Sequence, residues 1–225
     1  MNAPVITVDG PSGSGKGTIC RLLAEKTGFN LLDSGAIYRL AALACLQRKL
    51  DCDNEPLVAE VAGNLDIRFD INANTVEALL DDKIVTRDIR REQVGMAASK
   101  IAAYPSVRAA LLECQQAFRK LPGLVADGRD MGTVVFPNAP LKIFLTATAQ
   151  ERASRRIKQL QEAGETAIDE QKILADIIAR DDRDMNRATA PLAPAPDAIE
   201  LDSTSLSINE VFETILKQAQ QRQLC

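Results

Sequence analysis

The sequence predicts an α/β fold built on a parallel sheet. Three observations carry the expectation: a β-branched apolar run at Pro4–Val8 that ends in Asp9-Gly10, a glycine-rich loop followed at once by a helix-spaced segment, and apolar strand-like runs that recur later between helical segments. Strand, glycine loop, helix is how such domains open.

From Lys16, the residues Ile19, Leu22, Leu23 and the stem of Lys26 recur at helical spacing as far as Gly28, which suits the C′ position. Asp33-Ser34-Gly35 reads as a turn opening a second helix, with Ser34 placed to cap it and Arg39 one turn in. That helix contains Leu40–Leu46, the longest uninterrupted apolar run at seven residues, a core segment far short of the ~20 needed to cross a bilayer. The alternating Leu65–Ile71, the turn residues Asn72-Ala73-Asn74, and the short runs Val76–Leu80 and Ile84-Val85 predict antiparallel strands. They suggest an inserted subdomain from about Glu55 to Ala103, finishing with a helix that begins near Asp88. Between Pro105 and Leu121 the apolar positions Val107, Leu111, Cys114, Phe118 and Leu121 alternate steps of four and three, which predicts an amphipathic helix with Pro105 in its first turn. Leu124–Asp127, Leu141–Thr146 and Ala198–Asp202 read as further strands. Pro191, Pro194 and Pro196 make a stiff strap before the last of them. Ser207 and Glu210 form a capping box for a final helix carrying Val211, Ile215 and Ala219.

The length of 225 residues suits one α/β domain with an insertion. There is no histidine, which excludes Ser/His/Asp and Cys/His nucleophile pairs, a histidine general base and a His-ligated zinc. The five cysteines form no C-x-x-C pair and are expected to be reduced and mostly buried. Only Met1–Val8 precede the first turn, which is too little for a signal peptide, so cytoplasmic residence is expected and no membrane association. With 27 basic against 31 acidic residues and a pI near 5.1, a nucleic acid polymer is not an expected partner. A small phosphorylated ligand needs only a local cluster of cations.

Gly10-Pro11-Ser12-Gly13-Ser14-Gly15-Lys16-Gly17-Thr18 has the strand-before, helix-after context of a phosphate-binding loop. Glycines let successive N–H groups converge on phosphate oxygens, the helix N-terminus adds positive potential, and Lys16 supplies a cation. Gly17 stands where the strict pattern has a hydroxyl, with Thr18 next, so the pattern leaves open which hydroxyl would face magnesium. A second constellation is Asp127-Gly128-Arg129-Asp130-Met131-Gly132 at the C-terminal end of a predicted strand, where open α/β sheets place ligands. A third is Arg180, Arg183, Asp184 and Arg187, which at helical spacing share one face; the plainer alternative is a solvated salt-bridged face in which Asp181 and Asp182 pair with neighbouring cations. Arg152, Arg155 and Arg156, at the start of the preceding helix, could join that cluster.

Taken together, GPSGSGKGT at 10–18, DSGAIYR at 33–39, DGRDMGTVVFP at 127–137 and RDDRDMNR at 180–187 resemble bacterial cytidylate kinases over essentially the whole chain. The resemblance implies a P-loop fold with a five-stranded parallel sheet flanked by helices, an antiparallel insert in the part that binds the nucleoside monophosphate, and a helical lid. It divides the single domain into core 1–54, insert about 55–103, core 104–148, lid about 149–190 and core 191–225. It implies transfer of the γ-phosphoryl group of ATP to CMP or dCMP by a monomer. ATP would lie on residues 10–18 and Arg156. CMP would lie on Ser34, Arg39, Ser99, Arg108, Arg129, Asp130, Arg180 and Asp184. Lys16, Arg129, Arg183 and Arg187 would be catalytic, with Mg2+ at Thr18 and at Asp127 through water. Met185 departs from a stretch that is often more basic in relatives. Kinases for another nucleoside monophosphate or a small metabolite, and a nucleotide-dependent switch, are the alternatives.

Elementary chemistry agrees. In-line phosphoryl transfer asks mainly for positioning and positive charge, which arginine forks supply. The second pKa of a phosphate monoester lies near about 6, so the acceptor arrives largely ionised and needs no histidine base.

Overall fold

Strand β1 (Val5–Asp9) is buried along its whole length, as a strand with neighbours on both sides must be. The computed structural model describes residues 3–72 and 75–225; Ala73 and Asn74 of the expected turn at 72–74 lie outside them. Around β1 a five-stranded parallel sheet is ordered β2-β6-β1-β7-β8, with β2 at Asn30–Asp33, β6 at Leu124–Gly128, β7 at Leu141–Thr146 and β8 at Ile199–Asp202. Helix α1 (Lys16–Thr27) ends at Gly28 with φ 71°, the left-handed C-cap its sequence position suggests.

The core lies where α1 and α8 (Ile208–Gln221) cover the sheet. Ile6 and Val8 of β1, Ile19 and Leu23 of α1, Val125, Ile143 and Leu145 of the flanking strands, and Val211 and Ile215 of α8 form one buried cluster. Each such side chain contributes about 1.5–3 kcal/mol by leaving water. The capping box of α8 forms as expected: the Ser207 hydroxyl accepts from the Glu210 N–H, and the Glu210 carboxylate accepts from the Ser207 N–H. Helices α6 (Ala149–Glu162) and α7 (Glu170–Asn186) pack against each other between β7 and β8 in sequence.

The chain divides into two compact units, residues 1–32 with 118–225, and Asp33–Ala117. The first holds the parallel sheet. The second contains α2 (Ser34–Gln47), α3 (Glu55–Gly63), an antiparallel sheet in the order β3 (Ile67–Asn72), β4 (Thr75–Leu80), β5 (Lys83–Ile84), and then α4 (Glu92–Ile101) and α5 (Pro105–Gln116). Within it α2 packs on α4 and α3 on α5.

Three local expectations change. The helix expected near Asp88 starts at Glu92, because Asp88–Arg90 forms a single 3-10 turn and Arg91 is extended (φ −61°, ψ 143°). The helix expected over Pro105–Leu121 stops at Gln116, and Leu121 is 72% exposed; Leu121 precedes Pro122, a position that disfavours helix. Helix α3 was not expected, although Asn54 caps it by accepting from the Leu57 N–H and Pro56 sits in its first turn. Among the described residues no helix is long and apolar enough to cross a membrane.

Candidate active site

The glycine loop begins where the chain leaves β1. Gly10 has φ 145°, and a Cβ there would sit 2.0 Å from the Leu145 carbonyl oxygen, so no other residue fits without moving β7. Gly15, the N-cap of α1, is left-handed at φ 96°, which turns the loop into the helix. Lys16 is the first residue of α1; its Nζ donates to the Pro11 carbonyl at 2.8 Å and lies 4.0 Å from Asp127 Oδ1. Burial first, and then the nearby Arg129 cation, push the Lys16 pKa down to about 8. At pH 7 it is still mostly a cation, and phosphate oxygens beside it would favour that form further. The loop's outward carbonyls have donors: Arg152 Nη1 reaches Ser12 O at 3.0 Å, and Arg155 Nη1 and Ser203 Oγ reach Ser14 O at 3.3 and 3.2 Å.

Next to β1, strand β6 delivers Asp127 and Gly128 and then a π-turn at Met131–Val135. Asp9 holds the start of that turn. Its two carboxylate oxygens accept from the Met131 and Gly132 N–H groups, each at 2.8 Å. Burial raises the Asp9 pKa to about 7 even though both hydrogen bonds favour the ionised form. Just before the turn, Arg129 Nε donates to Asp184 Oδ2 at 3.1 Å, and Asp184 is 4% exposed. Burial alone would raise the Asp184 pKa, but Arg129, Arg180 and Arg187 overcome it and hold the carboxyl below the usual range. Arg187 Nη2 lies 3.9 Å from Asp130 Oδ1, with both side chains buried.

Arg180, Arg183 and Asp184 lie on α7 as the spacing required. Arg187 does not share that helix: it is the C-cap residue, extended at ψ 141°, and its Nε donates to the Ala190 carbonyl. Asp181 does pair with a neighbouring cation, Arg152, but the pair is shielded rather than solvated, and Asp182 accepts from the Asn186 amide. Arg156 is half-buried on α6.

In the second unit, Asp33 rather than Ser34 caps α2, accepting from the Ala36 N–H at 2.9 Å. Ser34 is buried in the first turn and donates to Gln115 Oε1 at 2.7 Å. Arg39 Nη1 donates to the Ile89 carbonyl at 2.9 Å and lies so close to Gly95 that a Cβ there would be 2.9 Å from it. Ser99 and Arg108 are buried; Arg108 Nη1 donates to the Ala102 carbonyl at 3.2 Å, and its guanidinium carbon lies 5.9 Å from the centre of the Tyr38 ring.

Comparison with known proteins decides the family. The profile described as Cytidylate kinase matches residues 6–221. The Cytidylate kinase of Saccharophagus degradans is 61% identical over 98% of both chains; that of Aeromonas hydrophila is 58% identical over 98% of this chain and 95% of its own, and that of Klebsiella pneumoniae 55% identical over 98% and 97%. The chain belongs to the cytidylate kinase family. Its architecture, a five-stranded parallel sheet flanked by helices with a smaller antiparallel sheet, is the one its motifs imply.

For a member of this family, several residues that shape the site were not singled out from the sequence. Asp9 carries a signal in hindsight, an acid ending a strand directly before the glycine loop. Gln115, which holds Ser34, sits among the buried positions of α5 but has no motif. Asp181 could be paired only once the helices are packed. A divalent ion of the hard, oxygen-seeking kind fits the place where loop and strand meet. The Asp127 carboxylate lies 3.6 Å from the Cβ position at Gly17, and Thr18 is exposed on the adjoining first turn, so a carboxylate and a hydroxyl, both hard oxygen donors, are available.

Proposed function

We propose that this enzyme transfers the γ-phosphoryl group of ATP to CMP or dCMP, giving ADP and CDP or dCDP. The observation that carries the reading is the glycine loop at the β1–α1 junction, with Lys16 on one side and the Arg129–Asp184 pair at the end of the adjacent strand. Residues 10–18 and Arg156 are proposed to hold ATP. The proposed CMP set is Ser34, Arg39, Ser99, Arg108, Arg129, Asp130, Arg180 and Asp184, with Ser99, Arg108 and Asp130 meeting the base and Arg39 and Arg129 the phosphate.

In the proposed mechanism Lys16 binds the donor phosphates as a cation, which it becomes fully when anions enter. Arg129, Arg183 and Arg187 stabilise charge spreading over the transferred group's oxygens, and their planar forks fix it in line with the acceptor. Thr18 and Asp127, the latter through water, would hold Mg2+; that ion would neutralise charge on the donor phosphates. No residue acts as a base, since the acceptor phosphate is already ionised. The helices of residues about 149–190 are proposed to exclude water from the reacting groups. We further propose a monomer acting in the cytoplasm, to be checked by sedimentation and fractionation.

The deciding experiment offers CMP, dCMP, UMP, AMP, GMP and shikimate with Mg-ATP and reads ADP release. CMP and dCMP should lead. AMP or shikimate leading would transfer the reading to the neighbouring kinase classes, and equal ATP hydrolysis with and without acceptor would favour a switch.

A further inference from the structure

A loop that turns its N–H groups inward toward an anion turns its carbonyls outward, and carbonyls lodged against neighbouring elements need donors of their own. Here those donors come from α6. Arg152, 4% exposed, uses its fork on three partners: Nε donates to the Ala147 carbonyl at 2.9 Å, Nη1 to Ser12 O at 3.0 Å, and Nη1 and Nη2 to the two carboxylate oxygens of Asp181 on α7, the first at 3.0 Å. The Arg152 stem lies against the loop as well, its Cβ 3.2 Å from the Cβ position at Gly13. Arg155 repeats the arrangement one turn on, with Nη1 on Ser14 O at 3.3 Å and Nη2 on Ser203 O at 2.7 Å. A second link from α7 is the bond from Arg180 Nη1 to Ser12 Oγ at 3.2 Å.

We infer that Arg152 is a positioning residue for the phosphate loop and that Asp181 orients it. The pair braces the N–H cradle from behind, so that affinity for the donor triphosphate depends on a carboxylate of α7 that lies outside the loop. The geometry requires a guanidinium. Only a planar fork can reach the Ala147 carbonyl, the Ser12 carbonyl and both oxygens of Asp181 at once, whereas a lysine at this site could satisfy only part of the set. Asp181 is 13% exposed, so the carboxylate is shielded enough for its pairing to matter. This inference rests on the reading of residues 10–18 as the ATP loop.

The test uses the full-length enzyme with Mg2+ and a non-hydrolysable ATP analogue, measured by calorimetry, beside steady-state kinetics. The variants are Arg152→Ala, Arg152→Lys, Asp181→Asn and the double Arg152→Ala/Asp181→Asn. Arg152→Ala should weaken the analogue by about tenfold or more and raise KM for ATP alike, while KM for CMP stays within about threefold. Arg152→Lys should fall between it and wild type. Asp181→Asn should weaken the analogue by several-fold, and should add nothing further in the Arg152→Ala background, since both act through one brace. If Arg152→Ala does not fold, Arg152→Lys and Asp181→Asn carry the same expectation. Analogue affinity within about twofold of wild type in the folded single variants, additive losses in the double, or equal losses in KM for ATP and CMP would each overturn the inference. Wild-type enzyme that does not bind the analogue would instead overturn the ATP reading of the loop.

Discussion

Replacing Gly10 by alanine tests the most confined point of the phosphate loop. A Cβ there would be 2.0 Å from the Leu145 carbonyl oxygen, where side-chain carbons stay beyond 3.0 Å, so β1 and β7 would have to part by about 1 Å. The two strands are hydrogen-bonded neighbours through the register Asp9↔Phe144, one residue before the clash. Spreading them weakens one or two ladder bonds, at about 1 kcal/mol each, and the positive φ of 145° adds about 1–3 kcal/mol for a residue with a Cβ. The expected cost is about 3–4 kcal/mol, a large part of a typical domain's stability but short of preventing folding. Gly28→Ala is the control. It shares a positive φ, at 71°, but a Cβ there meets nothing within 4 Å, so about 1–2 kcal/mol is expected from backbone strain alone. Urea unfolding at constant m-value measures both, with an ATP analogue titration alongside. If Gly10→Ala costs no more than Gly28→Ala, the steric account of the β1–β7 junction is wrong.

Two further outcomes follow from the same geometry. Arg129→Ala should lower kcat by roughly 10²-fold, the scale of losing one preorganised charge contact. It should also cost about 2 kcal/mol of stability, because it takes the donor from Asp184, whose side chain is 6% exposed; a kcat within threefold of wild type would remove Arg129 from the mechanism. The pH dependence of folding should report Asp9. Its carboxyl keeps its proton up to about pH 7 when folded, but loses it near about pH 4 when unfolded, so the stability it contributes at low pH is lost as pH rises through 7. Asp9→Asn should therefore flatten the fall in denaturation midpoint between about pH 4 and pH 7, and an unchanged slope would assign that fall to other groups.

The sequence makes the sheet and its ligand end legible because both depend on local pattern. Apolar β-branched runs, a glycine loop and caps such as Ser207 with Glu210 leave marks within a few residues, and β1, α1, β6, β7 and α8 follow them closely. Helix ends are less legible where an apolar spacing outlasts the helix, as at Phe118 and Leu121 after α5. Side-chain partnerships are illegible wherever they cross sequence. Nothing within reach of Ser34 announces Gln115, and the sequence offers Asp181 a choice of neighbouring cations without singling out Arg152. Asp33 and Ser34 show the local version of the same limit: both are good caps, and only the backbone at Asp33 (φ −99°, ψ 93°) shows which one serves.

The strand order has a consequence for how the protein is made. The strand that launches the glycine loop, β1, leaves the ribosome well before its two partners, β6 and β7, which it meets in the pairings Val5↔Leu124 and Ile6↔Leu141. Between them the chain writes the whole of Asp33–Ala117, a unit with its own internal contacts. During synthesis the second unit can therefore gather before β1 has any neighbour, while the loop's strand waits, apolar and unpaired, until β6 emerges, and keeps one edge open until β7 follows. The stretch Val5-Ile6-Thr7-Val8 is thus an apolar segment that stays exposed in the nascent chain while the second unit is made.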